Sequence, residues 1–249
     1  MNLLTTISCV IIAKNSQETI TQTLDSLKNF ENVILYLNNS TDNTKQIAQQ
    51  YNNITIVEGG FYGFGTTKNK AASYAKNSWV LSLDSDEIVT TELFQELLTL
   101  PLLNNQEVFS ILRDNYFLGK HIKHSGWSND FLIRLYNKNF YQFNANMVHE
   151  SIEISSSTKI TKLQSSFKHN AITNLNQFLQ KVMNYSDLAS ENKKTCSLFT
   201  VILKSHFAFF KTYILQLGFL DGWRGLVIAT SNFNGKFFRY IKRYNNCKK

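Results

Sequence analysis

Three acidic residues, Asp84, Asp86 and Glu87, stand within four positions directly after the apolar stretch at residues 79–83. Neighbouring carboxylates repel one another and resist burial, so their crowding at the end of a buried strand indicates that positive charge lies there. A divalent cation that carries a diphosphate would supply that charge, because Mg²⁺ and Mn²⁺ prefer one or two carboxylates together with phosphate oxygens. The alternative is a solvated acidic loop that caps the next helix.

The segments that must position these acids alternate between strand and helix patterns. Apolar, largely β-branched runs predict strands at residues 7–13, 33–37, 54–57 and 79–83, and helical spacing between them predicts helices that include 40–50 and 68–76. This alternation predicts an α/β fold, with a mostly parallel sheet and helices on both faces. Ligands of such sheets bind at the carboxyl ends of the strands, where Asn15, Asn38 and Asp84 fall.

The pattern changes after residue 105. Strands are predicted at 108–113, 131–136 and 159–163 without regular helices between them, and the sequence is helical from residue 175. We therefore predict an α/β domain over residues 1–170, composed of a ligand-binding half at 1–105 and a second half at 106–170. A helical, basic extension is predicted over residues 171–249.

The net charge is +8, from 26 basic and 18 acidic residues. From residue 196 to the end, nine basic residues and one acid, Asp221, are interleaved with Phe, Leu, Ile and Tyr. This composition predicts docking on an anionic membrane surface, the alternative being core-packing helices with a solvated basic tail. We expect no membrane-spanning helix and no signal peptide, and hence a cytoplasmic protein. The three widely spaced cysteines indicate neither a disulfide framework nor a zinc site.

Three short motifs carry a family resemblance: Ile11-Ile12-Ala13-Lys14-Asn15, Asn39-Ser40-Thr41-Asp42-Asn43-Thr44 and Leu81-Ser82-Leu83-Asp84-Ser85-Asp86-Glu87. They resemble motifs of the family 2 glycosyltransferases, which have the GT-A fold. Later motifs are similar to those of the lipopolysaccharide-core beta-glucosyltransferases. These are Phe61-Tyr62-Gly63-Phe64-Gly65, Phe117-Leu118-Gly119-Lys120, His124-Ser125-Gly126-Trp127, Arg134-Leu135-Tyr136, Val148-His149-Glu150 and Gly218-Phe219-Leu220-Asp221-Gly222-Trp223-Arg224-Gly225.

The resemblance implies a nucleotide-sugar donor, a UDP-sugar, and a Mg²⁺ or Mn²⁺ ion. Donor-binding roles fall on Asn15, Asn38, Lys68, Asn69 and Asp84, and metal-ligating roles on Asp86 and His149. Lys68 follows a glycine-rich loop near a helix start, where a lysine can pair with diphosphate oxygens; the alternative is a solvated helix lysine. Many relatives carry a base-contacting aspartate where this chain has Leu37, and the Asn38 amide could bind the base edge instead.

The resemblance further implies inverting transfer of a hexose, glucose from UDP-glucose, to a heptose of a lipid-linked lipopolysaccharide or lipooligosaccharide inner core. Such a displacement needs a carboxylate base, for which Asp130 is the first candidate and Glu150 the second. Surface ion pairs are the alternative role for both. Trp127 is expected to support an acceptor sugar ring unless it is a core residue, and Arg134 is assigned to acceptor binding.

Other functional classes fit the sequence less well. A nucleic-acid-binding protein would not need acids focused at a strand end, and the chain contains no recognised binding module, so no nucleic-acid partner is expected. A nicotinamide-dependent enzyme would carry a Gly-x-Gly-x-x-Gly turn after the first strand, where this chain has Ala13-Lys14-Asn15-Ser16. A sugar-nucleotide nucleotidyltransferase and a non-catalytic, sugar-nucleotide-binding relative remain open.

Overall fold

The computed structural model describes residues 4–146, 150–190 and 197–246. The chain forms two compact units, the first from residues 1–114 and 129–169 and the second from residues 115–128 and 170–249. The predicted boundary at residue 170 coincides in sequence with the point where the chain passes from the first unit to the second. The segment 115–128, which we expected in the α/β domain, groups instead with the C-terminal helices.

Nine strands form the described sheet, in the order β3-β2-β1-β4-β8-β6-β9-β5 with β7 beside β6. Their bounds are β1 Leu4–Ala13, β2 Phe30–Asn38, β3 Ile54–Gly59, β4 Trp79–Asp84, β5 Glu87–Val89, β6 Glu107–Phe117, β7 Lys120–His121, β8 Phe131–Asn137 and β9 Lys159–Ile172. The first four pair in parallel, and the pairs β4–β8, β6–β8 and β5–β9 are antiparallel. The parallel part is thus the predicted βα half, and the antiparallel strands extend it.

Both faces of β1 are buried, as its unbroken apolar sequence predicts. Ile11 and its alternate neighbours pack with α1 (Ile20–Ser26) and α4 (Thr91–Thr99), whereas Val10 and Ile12 pack with α3 (Phe64–Ser73). A short helix, α2 (Thr44–Ala48), adds Ala48 to the first cluster. The predicted α/β class, with helices on both faces of the sheet, is confirmed. Helix α3 begins four residues before its predicted start at residue 68.

The second unit is mainly helical. It contains α5 (Leu175–Ser190), α6 (Leu198–Phe210), a π-helical turn (Lys211–Leu215), a 3₁₀ turn (Gly218–Asp221) and α7 (Trp223–Asn246). Asp221 accepts hydrogen bonds from the backbone N–H groups of Lys123 and His124 and from Ser125 Oγ. Two late motifs of the sequence, at 124–127 and 218–225, therefore form one hydrogen-bonded body.

One segment of the described residues, Leu198–Leu215, is long and apolar enough to cross a membrane by length and composition. This differs from the expectation that no segment has that property. The two lysines inside it, Lys204 and Lys211, interrupt the apolar run but leave its average apolar. Only 17% of this 18-residue window is buried.

Gly225 allows a close approach of two chain segments in the second unit. A Cβ atom there would lie 1.8 Å from the Gly218 carbonyl oxygen, whereas a Cβ at Gly235, also in α7, would lie 3.6 Å from Val182 Cγ1. We expect Gly225→Ala to lower the melting temperature clearly, because backbone must move. Gly235→Ala should be neutral or raise it, because alanine is favoured over glycine by about 1 kcal/mol inside a helix. Equal melting temperatures of the two variants would contradict this prediction.

Candidate active site

Asp84, the last residue of β4, is held by a cation on each side. Its Oδ1 lies 2.8 Å from Lys68 Nζ, and its Oδ2 accepts a hydrogen bond of 2.8 Å from Arg134 Nη2. The same Arg134 nitrogen donates to Glu87 Oε1 at 2.5 Å, and the Asp84 N–H donates to Glu87 Oε2 at 2.9 Å. Glu87 is fully buried and Lys68 is 2% exposed, but 34% of the Asp84 side chain is exposed. Asp84 is therefore the member of this cluster that a ligand can reach most easily.

The fold explains why these groups meet. Asp84 lies opposite Ile12 of β1, so it ends at the same sheet edge as the loop after β1. Lys68 lies in the second turn of α3, which begins after Gly63 with a backbone φ of 92°, a conformation that favours glycine. Arg134 lies on β8, whose antiparallel pairing with β4 brings it to the carboxylates. The alternative of a solvated helix lysine is ruled out for Lys68 because its side chain is buried.

The surroundings of Asp84 and Glu87 shift the pKa values of their carboxyl groups in opposite directions. Burial raises the pKa of Asp84, but the charges of Arg134 and Lys68 outweigh it and hold that pKa well below its usual range. Burial raises the pKa of Glu87, and the neighbouring Asp84 charge adds to the effect against the opposing charge of Arg134. Asp84 is consequently a fixed negative charge at neutral pH, and Glu87 accepts a hydrogen bond from its backbone N–H.

A cleft of about 450 Å³ opens beside Asp84. Arg113, Arg134, Phe143 and Glu150 contribute to its lining. Glu150 Oε1 lies 2.7 Å from Lys68 Nζ, and its side chain is 18% exposed. Lys68 thus bridges Asp84 and Glu150, and its Nζ also lies 5.2 Å from the centroid of the Phe143 ring. The cleft lining therefore includes the ionised Asp84 and a second carboxylate, Glu150, and the buried Lys68 bridges the two.

Asp130, the first candidate base, is bound by an arginine. Its Oδ2 accepts hydrogen bonds from Arg113 Nε at 2.8 Å and Nη2 at 2.6 Å, and its carbonyl accepts one from the Arg113 N–H. Asp130 is not part of the cleft lining, whereas Arg113 is. The ion pair that the sequence left open as an alternative is present for Asp130, although its partner is Arg113 and not Arg134.

Asp86, the expected metal ligand, lies beside a histidine that the sequence did not single out. His169 Nε2, on β9, is 3.4 Å from Asp86 Oδ2. The other expected ligand, His149, lies outside the described residues. Within the described ranges no three His, Cys, Asp or Glu side chains come together to hold a metal on their own. The Asp86 carboxylate is an oxygen ligand of the kind that Mn²⁺ and Mg²⁺ prefer, and diphosphate oxygens are the further ligands such an ion would take.

The charge balance of the site also fits a divalent cation. The site holds five carboxylates, which are Asp84, Asp86, Glu87, Asp130 and Glu150. Three cations pair with them, which are Lys68, Arg113 and Arg134. The carboxylates therefore outnumber the Lys and Arg side chains paired with them by two, an excess that one divalent ion would balance.

Comparison with known proteins decides the family. The model of glycosyl transferase family 2 matches residues 8–180, which include every residue of the cluster described above. The chain belongs to glycosyl transferase family 2. An uncharacterized glycosyltransferase of Rickettsia felis is 30% identical over 95% of this chain and 88% of its own length. One of Rickettsia typhi is also 30% identical, over 95% of this chain and 86% of its own.

Solved structures show weaker likeness to this family 2 glycosyltransferase. Residues 1–349 of S. aureus TarS in complex with UDP are 16% identical with a TM-score of 0.46, covering 100% of this chain and 91% of that one. Glucosyl-3-phosphoglycerate synthase from Mycobacterium tuberculosis, with Mn²⁺, UDP and glucosyl-3-phosphoglycerate, is 25% identical with a TM-score of 0.34, covering 46% and 44%. At these scores the likeness identifies no ligand of this chain.

The asparagines expected to bind the donor differ in their surroundings. In the glycosyltransferase, Asn15 Oδ1 accepts a hydrogen bond from the Thr41 N–H, which ties the loops after β1 and β2 together. Among the described residues, the buried Asn38 Oδ1 has no hydrogen-bond partner. An unsatisfied buried amide oxygen at the ligand-binding edge suits a donor group such as a base N–H. The donor-binding role of Asn38 stays a prediction, and Asn15 positions the edge.

Asn69 and Arg134 make contacts that the sequence did not predict. The Asn69 amide donates to the Phe143 carbonyl and accepts from the Phe143 N–H, both at 2.8 Å, so it anchors the chain that leads to Glu150 and not the donor. Arg134 is 4% exposed and lines the cleft, where it donates to Asp84 and Glu87 and so orients both acids. Trp127 lies in the second unit, partly buried, with its ring 6.0 Å from that of Phe117.

Sequence reasoning did not single out Arg113 or His169 as residues of the site. It named Glu87 among the three acids but did not predict that Glu87 is buried. Glu87 was visible only as one more acid in a cluster. A signal was present for Arg113, a charge at the end of a predicted strand, but its partner Asp130 is 17 residues away. Nothing in the sequence near His169 distinguishes it, because its proximity to Asp86 depends on the β5–β9 pairing.

Proposed function

We propose that this glycosyltransferase transfers a hexose with inversion from a UDP-sugar to a sugar hydroxyl of a lipid-linked acceptor. One observation carries the proposal: Lys68 bridges the strand-end acid Asp84 and the cleft carboxylate Glu150, which places a donor-side charge and a base beside one cleft. Transfer needs both groups next to the space in which donor and acceptor meet.

In the proposed displacement one bond forms as another breaks. The acceptor oxygen forms a bond to the anomeric carbon as the bond from that carbon to the diphosphate oxygen breaks, and the electron pair leaves with UDP. The hydroxyl proton passes to a carboxylate. Asp84, held ionised by Arg134 and Lys68, orients the donor side, while Lys68 lies within reach of negative charge that develops there. A bound Mg²⁺ or Mn²⁺ would stabilise charge on the leaving diphosphate.

The base of this proposal is Glu150. It lines the cleft, and the single charge of Lys68 is shared between it and Asp84. Asp130 is held by two hydrogen bonds to the Arg113 guanidinium and does not belong to the cleft lining. We therefore reverse the order of the two candidate bases.

Asp86 and His169 are the proposed protein ligands of the metal, with His149 as a further ligand. We expect His169→Ala to raise the Mn²⁺ concentration needed for half-maximal binding in the presence of UDP by about tenfold or more, because one imidazole is lost. Calorimetric titration of the protein with Mn²⁺ and UDP measures it. His206→Ala, in an exposed position of α6, is the matched control. Equal affinities of the two variants would remove His169 from the site.

The finer identities rest on the motifs shared with lipopolysaccharide-core beta-glucosyltransferases. We propose glucose as the sugar, UDP-glucose as the donor and a heptose of the lipopolysaccharide or lipooligosaccharide inner core as the acceptor. The place of action is then the cytoplasmic face of the inner membrane, where a lipid-linked core is accessible to a nucleotide sugar. Asn38, with its unsatisfied amide oxygen, is the proposed contact to the donor base in place of the absent aspartate.

The experiment that tests this function measures release of nucleoside diphosphate by the purified protein. A panel of sugar nucleotides is assayed with Mn²⁺, with and without a truncated inner-core acceptor. The proposal predicts acceptor-stimulated release from UDP-glucose that is lost with a chelator and with Asp86→Ala. Release from another donor would change the sugar, and absence of turnover or binding of any donor would overturn the function.

A further inference from the structure

The outer surface of the second unit is unusually apolar. Among the described residues, thirteen of the twenty-five large apolar side chains that are exposed lie between Leu198 and Leu226. They are Leu198, Phe199, Ile202, Leu203, Phe207, Phe210, Ile214, Leu215, Leu217, Phe219, Leu220, Trp223 and Leu226. Such a concentration of exposed apolar side chains within 29 consecutive residues indicates an interaction site. We name these thirteen residues the apolar face.

Helix α6 exposes its large apolar side chains, whereas most surface helices bury theirs. Helical spacing places Leu198, Phe199, Ile202, Leu203 and Phe207 on its exposed side. The buried side, which packs along α7, carries small or polar residues, namely Val201 and Ser205, followed by Thr212 in the next turn. A helix that turns small residues toward its protein neighbour and large apolar ones outward is suited to an apolar solvent.

Charge indicates which apolar partner fits. The sole acidic residue from position 196 onward, Asp221, is buried and bonded to the segment 123–125. Lys204 and Lys211, both exposed, lie two helical turns apart at the border between the two sides of α6. Lysines in that position can extend their charged ends to phosphates while their stems lie along apolar surface. An anionic lipid surface matches this arrangement of charge and apolar groups.

We propose that the apolar face docks in the interface of an anionic lipid bilayer, with α6 lying along the membrane surface. A transmembrane orientation would place Lys204 in the hydrocarbon, whereas an in-plane orientation leaves both lysines at the head groups. This inference rests on the second unit alone and requires neither the proposed donor nor the proposed acceptor.

The test is co-sedimentation of the full chain with vesicles of phosphatidylcholine alone and of phosphatidylcholine mixed with phosphatidylglycerol. The wild type should bind the anionic vesicles preferentially, and Phe199→Glu with Leu203→Glu should lower the partition coefficient about tenfold or more. These side chains are 73% and 56% exposed, so folding should be unaffected, which circular dichroism verifies. Leu103→Glu with Phe140→Glu, at 89% and 52% exposure in the first unit, is the matched control and should bind like the wild type.

Lys204→Gln with Lys211→Gln should bind zwitterionic vesicles as before but lose most of the preference for anionic ones. Three results would overturn the proposal: no binding of the wild type to anionic vesicles, equal binding of Phe199→Glu/Leu203→Glu and wild type, or a lipid-free dimer in light scattering that this variant dissociates. The last result would show that a second copy covers the apolar face. Vesicle binding is measured without substrates, so a failure of the proposed glucosyl transfer leaves this test unaffected.

Discussion

Replacing Glu150 with glutamine should lower kcat by about 10²–10⁴-fold, the usual contribution of a general base. The amide oxygen of glutamine can still accept a hydrogen bond from Lys68, which pairs with Glu150 in the wild type, so the local structure should persist. Only the ability to take the acceptor proton is lost. KM for the donor should change little, since Asp84 and Lys68 remain. Steady-state kinetics with saturating acceptor measures both constants.

Asp130→Asn is the matched control for that prediction. Asp130 is bonded to Arg113 outside the cleft lining, so its amide variant should retain most of kcat and lose some stability. If Asp130→Asn were the inactive variant and Glu150→Gln the active one, the assignment of the base would be reversed. Calorimetric titration of each variant with UDP and Mn²⁺ would show in each case whether the donor site is intact.

Replacing Arg134 with methionine should destabilise the first unit by about 3–5 kcal/mol, the range for breaking a buried ion pair on one side. Glu87 is fully buried beside Arg134 Nη2, and its second cationic partner, Arg113 Nη1, lies farther away at 3.8 Å. The charge of Glu87 would then be buried without its main partner. Denaturant unfolding followed by circular dichroism measures the change in the free energy of unfolding.

The pH dependence and a second variant identify the cause. The pKa of Asp84 is lowered in the folded protein, so its ionised form stabilises the fold above the ordinary value of about 3.9 and this contribution is lost as pH falls. The deficit of Arg134→Met should therefore be largest at neutral pH and shrink below about pH 4. Adding Glu87→Gln should recover part of the loss. A deficit that is independent of pH and of Glu87 would indicate packing and not charge.

Part of this site was predictable from local sequence. In an alternating fold, an apolar strand that ends in Asp84 predicts that this residue lies at the carboxyl edge of the sheet. The register of β1 with β4 places Asp84 at that edge, as expected. Asn38, the last residue of β2, was predicted at the same edge in the same way. Such predictions succeed because strand order and strand ends follow from patterns a few residues long.

The partners of these residues were not predictable, because they are distant in the chain. Lys68 and Glu150 are 82 positions apart, and Arg134 is 50 positions from Asp84. Only the antiparallel return of β8 shows that Arg134 is buried beside the acids. Similarly, the sequence of α6 is apolar on most sides, and its packing against α7 decides which residues are exposed.

The most direct test of the central claim is the anomeric configuration of the product. Wild-type protein is incubated with UDP-glucose, whose glucose is α-linked to the diphosphate, and a heptose-containing inner-core acceptor, and the new linkage is assigned by proton NMR coupling constants. A β-linkage formed with equimolar UDP is the result that a single displacement assisted by Glu150 predicts. An α-linkage would contradict that mechanism, and UDP release without a new glycosidic bond would contradict glycosyl transfer to this acceptor.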